Sequence, residues 1–164
     1  MLAKVIIVMG VAGAGKTTVA RLLAESLRWR FLDADDFHPP GNIAKMRRGE
    51  PLTDADRRPW LAALRAAVDS SVDRGQLTVL ACSALKRSYR EHLVAGRRSV
   101  RVVYLRAARN LVRSRLVKRR GHFAGVQLLD SQFATLEAPA DAITIDASLG
   151  TDEIVRATRA ALRL

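Results

Sequence analysis

Cysteine is nearly absent from this chain: Cys82 stands alone among 164 residues. No internal disulfide and no multi-cysteine zinc site can form, and a reducing compartment is the natural setting. Aromatic residues amount to only 5%, few for a protein that would stack nucleic-acid bases on ring platforms. Long apolar runs are missing as well. The opening MLAKVIIVMG holds only about six apolar residues in a row, against the ~18–20 that a membrane span requires. A soluble, cytoplasmic protein without a membrane partner is the expectation. Acidic residues are lacking from His92 to Leu129, where Arg97, Arg98, Arg101, Arg106, Arg109, Arg113, Arg115, Lys118, Arg119 and Arg120 crowd together. A solvated helix face explains much of such a run.

What is present describes one ordinary globular domain. At roughly 100–200 residues per domain the length fits one unit, and 49% apolar with 27% charged residues excludes general disorder. The net charge of +12, from 28 basic and 16 acidic residues, favours anionic partners: small phosphorylated molecules, acidic metabolites or nucleic acid.

Apolar patterning alternates between two periods. Lys4–Met9 is a continuous β-branched run, expected of a strand buried on both faces. Lys16–Leu27 carries helix-spaced apolar residues, and Arg30–Ala34 reads as a second strand. A turn around His38-Pro39-Pro40-Gly41 precedes a helix over 42–48. Thr53 to Asp56 marks the start of a longer helix that ends near Gly75, with Pro59 tolerable only in its first turn. Further strands are expected at Leu77–Cys82, Val100–Leu105 and Ala142–Ile145. Helices are expected at 86–94, 110–118, 126–136 and 151–162, with a loop over 119–125. Such alternation predicts an α/β fold: about five parallel strands with helices on both faces and right-handed crossovers.

Gly10-Val11-Ala12-Gly13-Ala14-Gly15-Lys16-Thr17 fits G-x-x-x-x-G-K-[ST], directly after a predicted strand and opening a predicted helix. Glycines Gly10, Gly13 and Gly15 let the backbone curl, so that N–H groups from Ala14 through Thr18 face phosphate oxygens. Lys16 supplies an ammonium to the β- and γ-phosphates, and the Thr17 hydroxyl suits Mg²⁺. Nucleoside triphosphate binding follows.

A second feature narrows the chemistry. Asp33-Ala34-Asp35-Asp36 ends the second predicted strand, and parallel sheets bind ligands at the C-terminal ends of their strands. Continued strand alternation would point Asp33 and Asp35 the same way. One carboxylate could then hold Mg²⁺ through water while the other takes a proton from an attacking hydroxyl. A solvated acidic turn or helix cap is the alternative. No Walker-B aspartate ends the third or fourth strand, and no [NT]KxD motif occurs, so motor ATPases and switch GTPases fit poorly. A small kinase with its carboxylate on strand two fits better.

The segments GVAGAGKTT, FLDADDFHPPGNIAKMRRGEPLTDADRRPWL, CSALKRSYR, RLVKRRGHF and QFATLEAP closely resemble the gluconokinase family, across roughly residues 4–146. That resemblance implies a three-layer phosphate-loop kinase of the shikimate-kinase-like group, with a substrate segment at about 36–60 and a lid at about 115–125. It implies transfer of the γ-phosphoryl group of MgATP to O6 of D-gluconate, and a homodimer. By the same resemblance Asp35 is the candidate base and Asp33 a ligand of magnesium-bound water or of substrate. His38, Arg57, Lys86, Arg90, His122 and Gln132 form the polar ring around the sugar acid, and Arg115 and Arg119 are lid arginines on ATP. Ala34 and Glu137 depart from the residues common there, glycine and glutamine.

The residue chemistry agrees. A linear polyol acid needs a cation for its carboxylate and hydrogen-bonding groups for its hydroxyls. Arg57 suits a two-oxygen acceptor better than lysine would. Lys86 and Arg90 lie one helical turn apart. Trp60 and Phe133 read as packing residues, and Cys82 as a small buried hydrophobe. Competing expectations are shikimate kinase, whose glycine triplet after strand three is here Cys82-Ser83-Ala84, and a nucleotide monophosphate kinase. A nucleic-acid-binding protein or polynucleotide kinase using the basic 97–120 stretch is a third, disfavoured because its charges are dispersed over several elements.

Overall fold

In the computed structural model the backbone is described for residues 2–120 and 123–164, and side chains for all of these except 119, 120 and 123–127. Five strands, β1 (Val5–Met9), β2 (Arg30–Asp33), β3 (Thr78–Ala81), β4 (Val100–Arg106) and β5 (Ile143–Asp146), make one parallel sheet in the order β2-β3-β1-β4-β5. The helices are α1 (Lys16–Leu27), α2 (Pro40–Arg47), α3 (Asp54–Asp73), α4 (Arg87–Val94), α5 (Arg109–Arg120), α6 (Phe123–Thr135) and α7 (Thr151–Leu162).

β1 lies at the centre, paired to β3 through Val5–Thr78 to Val8–Ala81 and to β4 through Val5–Val100 to Met9–Tyr104. All five of its residues are buried, because alternate side chains enter two separate cores. Ile6 and Val8, with Val79, Val103 and Leu105, pack under Val19, Ala20 and Leu23 of α1 and Ile154 and Leu162 of α7. Val5, Ile7 and Met9, with Leu80, Cys82 and Tyr104, pack under Trp60, Leu64 and Val68 of α3 and Leu93 of α4. Each fully buried Leu or Ile is worth about 1.5–3 kcal/mol, so a run apolar on both faces takes the middle of the sheet. The outer strands β2 and β5 are only half-buried.

Expected and observed elements agree in number and order among the described residues. Three local differences are informative. β2 stops at Asp33, and residues 34–37 turn through a single 3₁₀ turn capped by the Asp33 side chain, which accepts from the Asp35 N–H at 3.0 Å. The next helix starts at Pro40 and not at Asn42, since a proline at N1 lacks only an amide that would be unpaired there anyway. α3 starts at Asp54 behind a reciprocal Thr53–Asp56 capping box. That places Pro59 in its second turn, where the Ala55 carbonyl forgoes its i+4 donor. The cap and the burial of Trp60, Leu64 and Val68 outweigh the cost. No helix among the described residues is long and apolar enough to cross a membrane.

Candidate active site

Residues 10–17 link the end of β1 to α1 and curl as the glycine spacing predicts. Gly13 and Gly15 have φ of +82° and +95°, conformations that L side chains rarely adopt. A Cβ on Gly13 would also stand 3.1 Å from Val112 Cγ1. Gly15 is the N-cap of α1 and supplies no side chain to its first amides, which leaves these donors open to an anion. Lys16 folds back so that its Nζ donates to the Val11 carbonyl at 3.3 Å. Burial pushes its pKa down, opposed by the charges of Asp35, Cys82 and Asp33.

Asp33 and Asp35 converge for a different reason from strand alternation. Because the chain turns at Asp33, its Oδ1 caps the Asp35 amide while its Oδ2 accepts from Thr17 Oγ1 at 3.1 Å. Asp35 itself is exposed, two residues beyond the end of β2. Its carboxyl pKa is nevertheless raised, first by desolvation and then by Asp33, with Lys16 and His38 pulling the other way. A raised pKa makes a carboxylate a better proton acceptor than an ordinary aspartate. Thr17 Oγ1 and Asp33 Oδ2 are hard oxygen donors at the root of the loop, a pair that fits Mg²⁺ held mainly by phosphate oxygens and water.

His38 follows the turn and stacks on Trp60, with ring centroids 4.6 Å apart and planes 6° from parallel. The Trp60 Nε1–H donates to the Ala34 carbonyl at 2.8 Å, so a 3%-exposed indole fixes both the turn after β2 and the imidazole. Asn42 Nδ2 lies 3.2 Å from His38 Nδ1. An amide NH₂ can only donate, so Nδ1 accepts and the neutral ring carries its proton on Nε2. Desolvation lowers the pKa of His38, with Asp35 opposing and Arg57 adding to the shift.

Arg57, from the first turns of α3, and Lys86, the N-cap of α4, meet at the Asp54 carboxylate. Lys86 Nζ donates to Asp54 Oδ1 at 2.7 Å, and Arg57 Nη1 stands 3.9 Å from that oxygen. The Tyr89 hydroxyl also donates to Asp54 and receives Arg57 Nη1 at 3.4 Å. Both cations lie over the Tyr89 ring, at 5.9 and 5.6 Å from its centre. Hydrogen bonds from Lys86 and Tyr89 hold Asp54 below the usual carboxylate range. Asp54 could be read in the sequence only as a helix-surface partner of Arg57, and Tyr89 and Asn42 were not singled out. The i, i+3 spacing of Asp54 to Arg57 and of Lys86 to Tyr89 was the available signal.

Other expected site residues are placed differently. Arg90 is 8% exposed and donates to the Ala84, Leu85 and Glu137 carbonyls at 2.9, 3.0 and 2.7 Å. It fastens the stretch after α6 to the loop after β3. Gln132 reaches the phosphate loop, where its Oε1 accepts from the Ala12 N–H at 2.5 Å. Arg115 donates to the Gly13 and Ala14 carbonyls at 3.3 and 3.2 Å and to the Ala147 carbonyl at 2.8 Å. There it lines a cavity of about 260 Å³ with Gly15, Thr18 and Leu149, beside the amino end of α1. The side chain of Arg119 and the whole of His122 lie outside the described residues. A larger cavity of about 690 Å³ between α4 and residues 137–143 contains no residue of the phosphate loop. Cys82 is 1% exposed, and burial pushes its thiol up to about 12, which makes it inert packing.

Comparison with known proteins gives the chain a family. The family model for an AAA domain matches residues 5–148. A gluconokinase of Gluconobacter oxydans (strain 621H) is 49% identical over 136 residues, covering 83% of this chain and 76% of that protein. The crystal structure of a gluconokinase from Sinorhizobium meliloti 1021 superposes with a TM-score of 0.88 at 39% identity, over 99% of this chain and 93% of that one. A shikimate kinase from Bacteroides thetaiotaomicron shares the fold alone, with a TM-score of 0.67 at 17% identity over 98% of each chain. With a phosphate loop, a carboxylate-bearing turn after β2 and this level of identity along nearly the whole chain, the protein belongs to the gluconokinase family.

Proposed function

We propose that this protein phosphorylates the 6-hydroxyl of D-gluconate with MgATP, releasing ADP and 6-phospho-D-gluconate. The observation that carries the assignment is the position of Asp35. It is open to an incoming hydroxyl, yet close enough to Lys16 for their charges to act on one another.

The amides following Gly13 and the Lys16 ammonium hold the triphosphate, and the cavity beside Arg115 accepts the base. Thr17 and Asp33 would hold Mg²⁺, which neutralises charge on the β- and γ-phosphates when bound. Arg57 and Lys86 turn from Asp54 to the carboxylate at the far end of the sugar acid, and His38 donates from Nε2 to a hydroxyl. With both ends fixed, the primary hydroxyl lies in line with the γ-phosphorus. Its oxygen forms the new P–O bond as the bond to the β,γ-bridging oxygen breaks, and its proton passes to an Asp35 oxygen. Most of the acceleration then comes from positioning and electrostatics. Arg90 serves this site as an anchor for its walls and not as a ligand.

The test is a product assay with MgATP and, separately, gluconate, shikimate and nucleoside monophosphates. Formation of 6-phosphogluconate with at least a hundredfold preference over the other acceptors is expected. Preferred phosphorylation of shikimate or of a monophosphate would refute the assignment.

A further inference from the structure

The Ala12–Gln132 bond joins residues 120 positions apart. We infer that Gln132 is a positioning residue of the phosphate loop, acting through the Ala12 amide, and not a member of the sugar-acid ring. A phosphate loop is a nest of backbone donors, and a nest without its anion leaves those donors to be satisfied otherwise. Here the Lys16 ammonium donates to the Val11 carbonyl, and the Ala12 N–H, a backbone donor of the loop, donates to the carboxamide of Gln132. The flanking residues Val11 and Ala12 thus engage Lys16 from the start of α1, the Ala14 amide within the loop and Gln132 from α6.

The orientation of the carboxamide follows from chemistry. An N–H donor must face Oε1, so Nε2 is the opposite end of the same planar group. With Oε1 held on Ala12, that NH₂ is an uncharged donor beside the loop that receives the triphosphate. The uncharged character matters. Glutamate is isosteric and would accept from Ala12 at least as well, but it would set a negative charge against an anionic ligand. Methionine would fill similar space and accept poorly. The two substitutions therefore separate the bond from the charge. α6 is otherwise held here by packing, with Leu129 buried and Phe133 half-buried on the α1 side of the sheet. Leu129, one turn before Gln132, and Phe133, the next residue, thus keep the helix in place when residue 132 changes.

The experiment measures binding of ATP and of a non-hydrolysable analogue by calorimetry without gluconate, then steady-state kinetics with both substrates. Tm without ligand is followed for each protein. For Gln132→Met, ATP affinity and kcat together should fall roughly 3–10-fold in kcat/KM for ATP, the effect of one hydrogen bond. For Gln132→Glu, ATP affinity should fall at least ~10-fold while Tm without ligand is kept or raised, because the bond survives and only the charge is added. KM for gluconate should stay within about twofold of the unaltered protein in both. Should Gln132→Met fold poorly, Gln132→Glu still decides. Unaltered ATP affinity in Gln132→Glu overturns the inference, as does unaltered kcat/KM for ATP in a folded Gln132→Met. A change confined to KM for gluconate also overturns it and returns Gln132 to the acceptor side. Because nucleotide binding is read without an acceptor, failure of the gluconate assignment would leave this result intact and be recognised separately.

Discussion

Thr17 Oγ1 donates to Asp33 Oδ2 at 3.1 Å, tying the first turn of α1 to the last residue of β2. The same Asp33 side chain caps the amide of Asp35. One carboxylate thereby joins the phosphate-binding element to the element that carries the candidate base. Two hydrogen bonds thus hold Thr17 and the backbone at Asp35 in register.

Replacing Thr17 by alanine should raise the Mg²⁺ concentration for half-maximal rate at least ~10-fold. Saturating Mg²⁺ should restore part of the loss. A magnesium titration at fixed ATP checks this, and an unchanged half-saturation point would remove Thr17 from the metal site.

Asp35→Asn should lower kcat by ~10²–10⁴-fold with ATP affinity nearly intact. The pKa of Asp35 is raised, so the acid limb of the unaltered rate profile should lie above the ordinary carboxylate range and vanish in the variant. The sign for stability follows from the same shift. A folded-state pKa above the unfolded one means the native state binds more protons between the two values, so stability falls as pH rises through that window. Above it the uncharged asparagine should melt at a temperature no lower than aspartate does. A variant with normal turnover, or one that melts markedly lower at neutral pH, would contradict this.

Arg57→Ala should raise KM for gluconate roughly 10–100-fold, as for one charge-assisted pair, while KM for ATP stays within about twofold. Stability should change little, because the partner Asp54 is 62% exposed and exposed ion pairs contribute little. Parallel kinetics and melting curves decide. Equal losses toward both substrates would show that Arg57 supports the site as a whole.

Arg90→Ala should behave in the opposite way. Three carbonyls lose a charged donor, which costs about 1.5–3 kcal/mol, or roughly 3–12 °C in Tm. KM for gluconate, measured well below the new Tm, should remain close to normal. A large rise in that KM with an unchanged Tm would return Arg90 to the substrate ring.

Much of this was legible in one dimension. β1 and the phosphate loop are local: an apolar run, glycines at fixed spacing, then a helix period. Local backbone preference and burial specify them without help from distant residues. α3 was equally readable at its start, because Thr53 and Asp56 cap it reciprocally. The Asp33–Asp35 pair was found for a partly wrong reason. Alternation suggested shared direction, whereas a turn and a side-chain cap bring the two together. Arg90 and Gln132 illustrate the limit. Both are polar and stand in segments resembling a substrate site, but a side chain's partner depends on what folds opposite it. For Arg90 that was the Glu137 carbonyl, 47 positions away; for Gln132 it was the Ala12 amide, 120 positions away.

The order of apolar periods and the glycine-lysine-threonine spacing of residues 10–17, read by themselves, determined a parallel α/β sheet and a nucleotide's phosphate cradle, because those depend on contacts within a few residues. Only the tertiary structure decided which cations face the crevice and which are spent on carbonyls, and that Asp54 and Tyr89 gather Arg57 and Lys86 into one cluster. Those outcomes depend on crossovers that bring α3, α4 and α6 to the carboxyl ends of the strands. No property of a residue's near neighbours encodes which group will stand opposite it there.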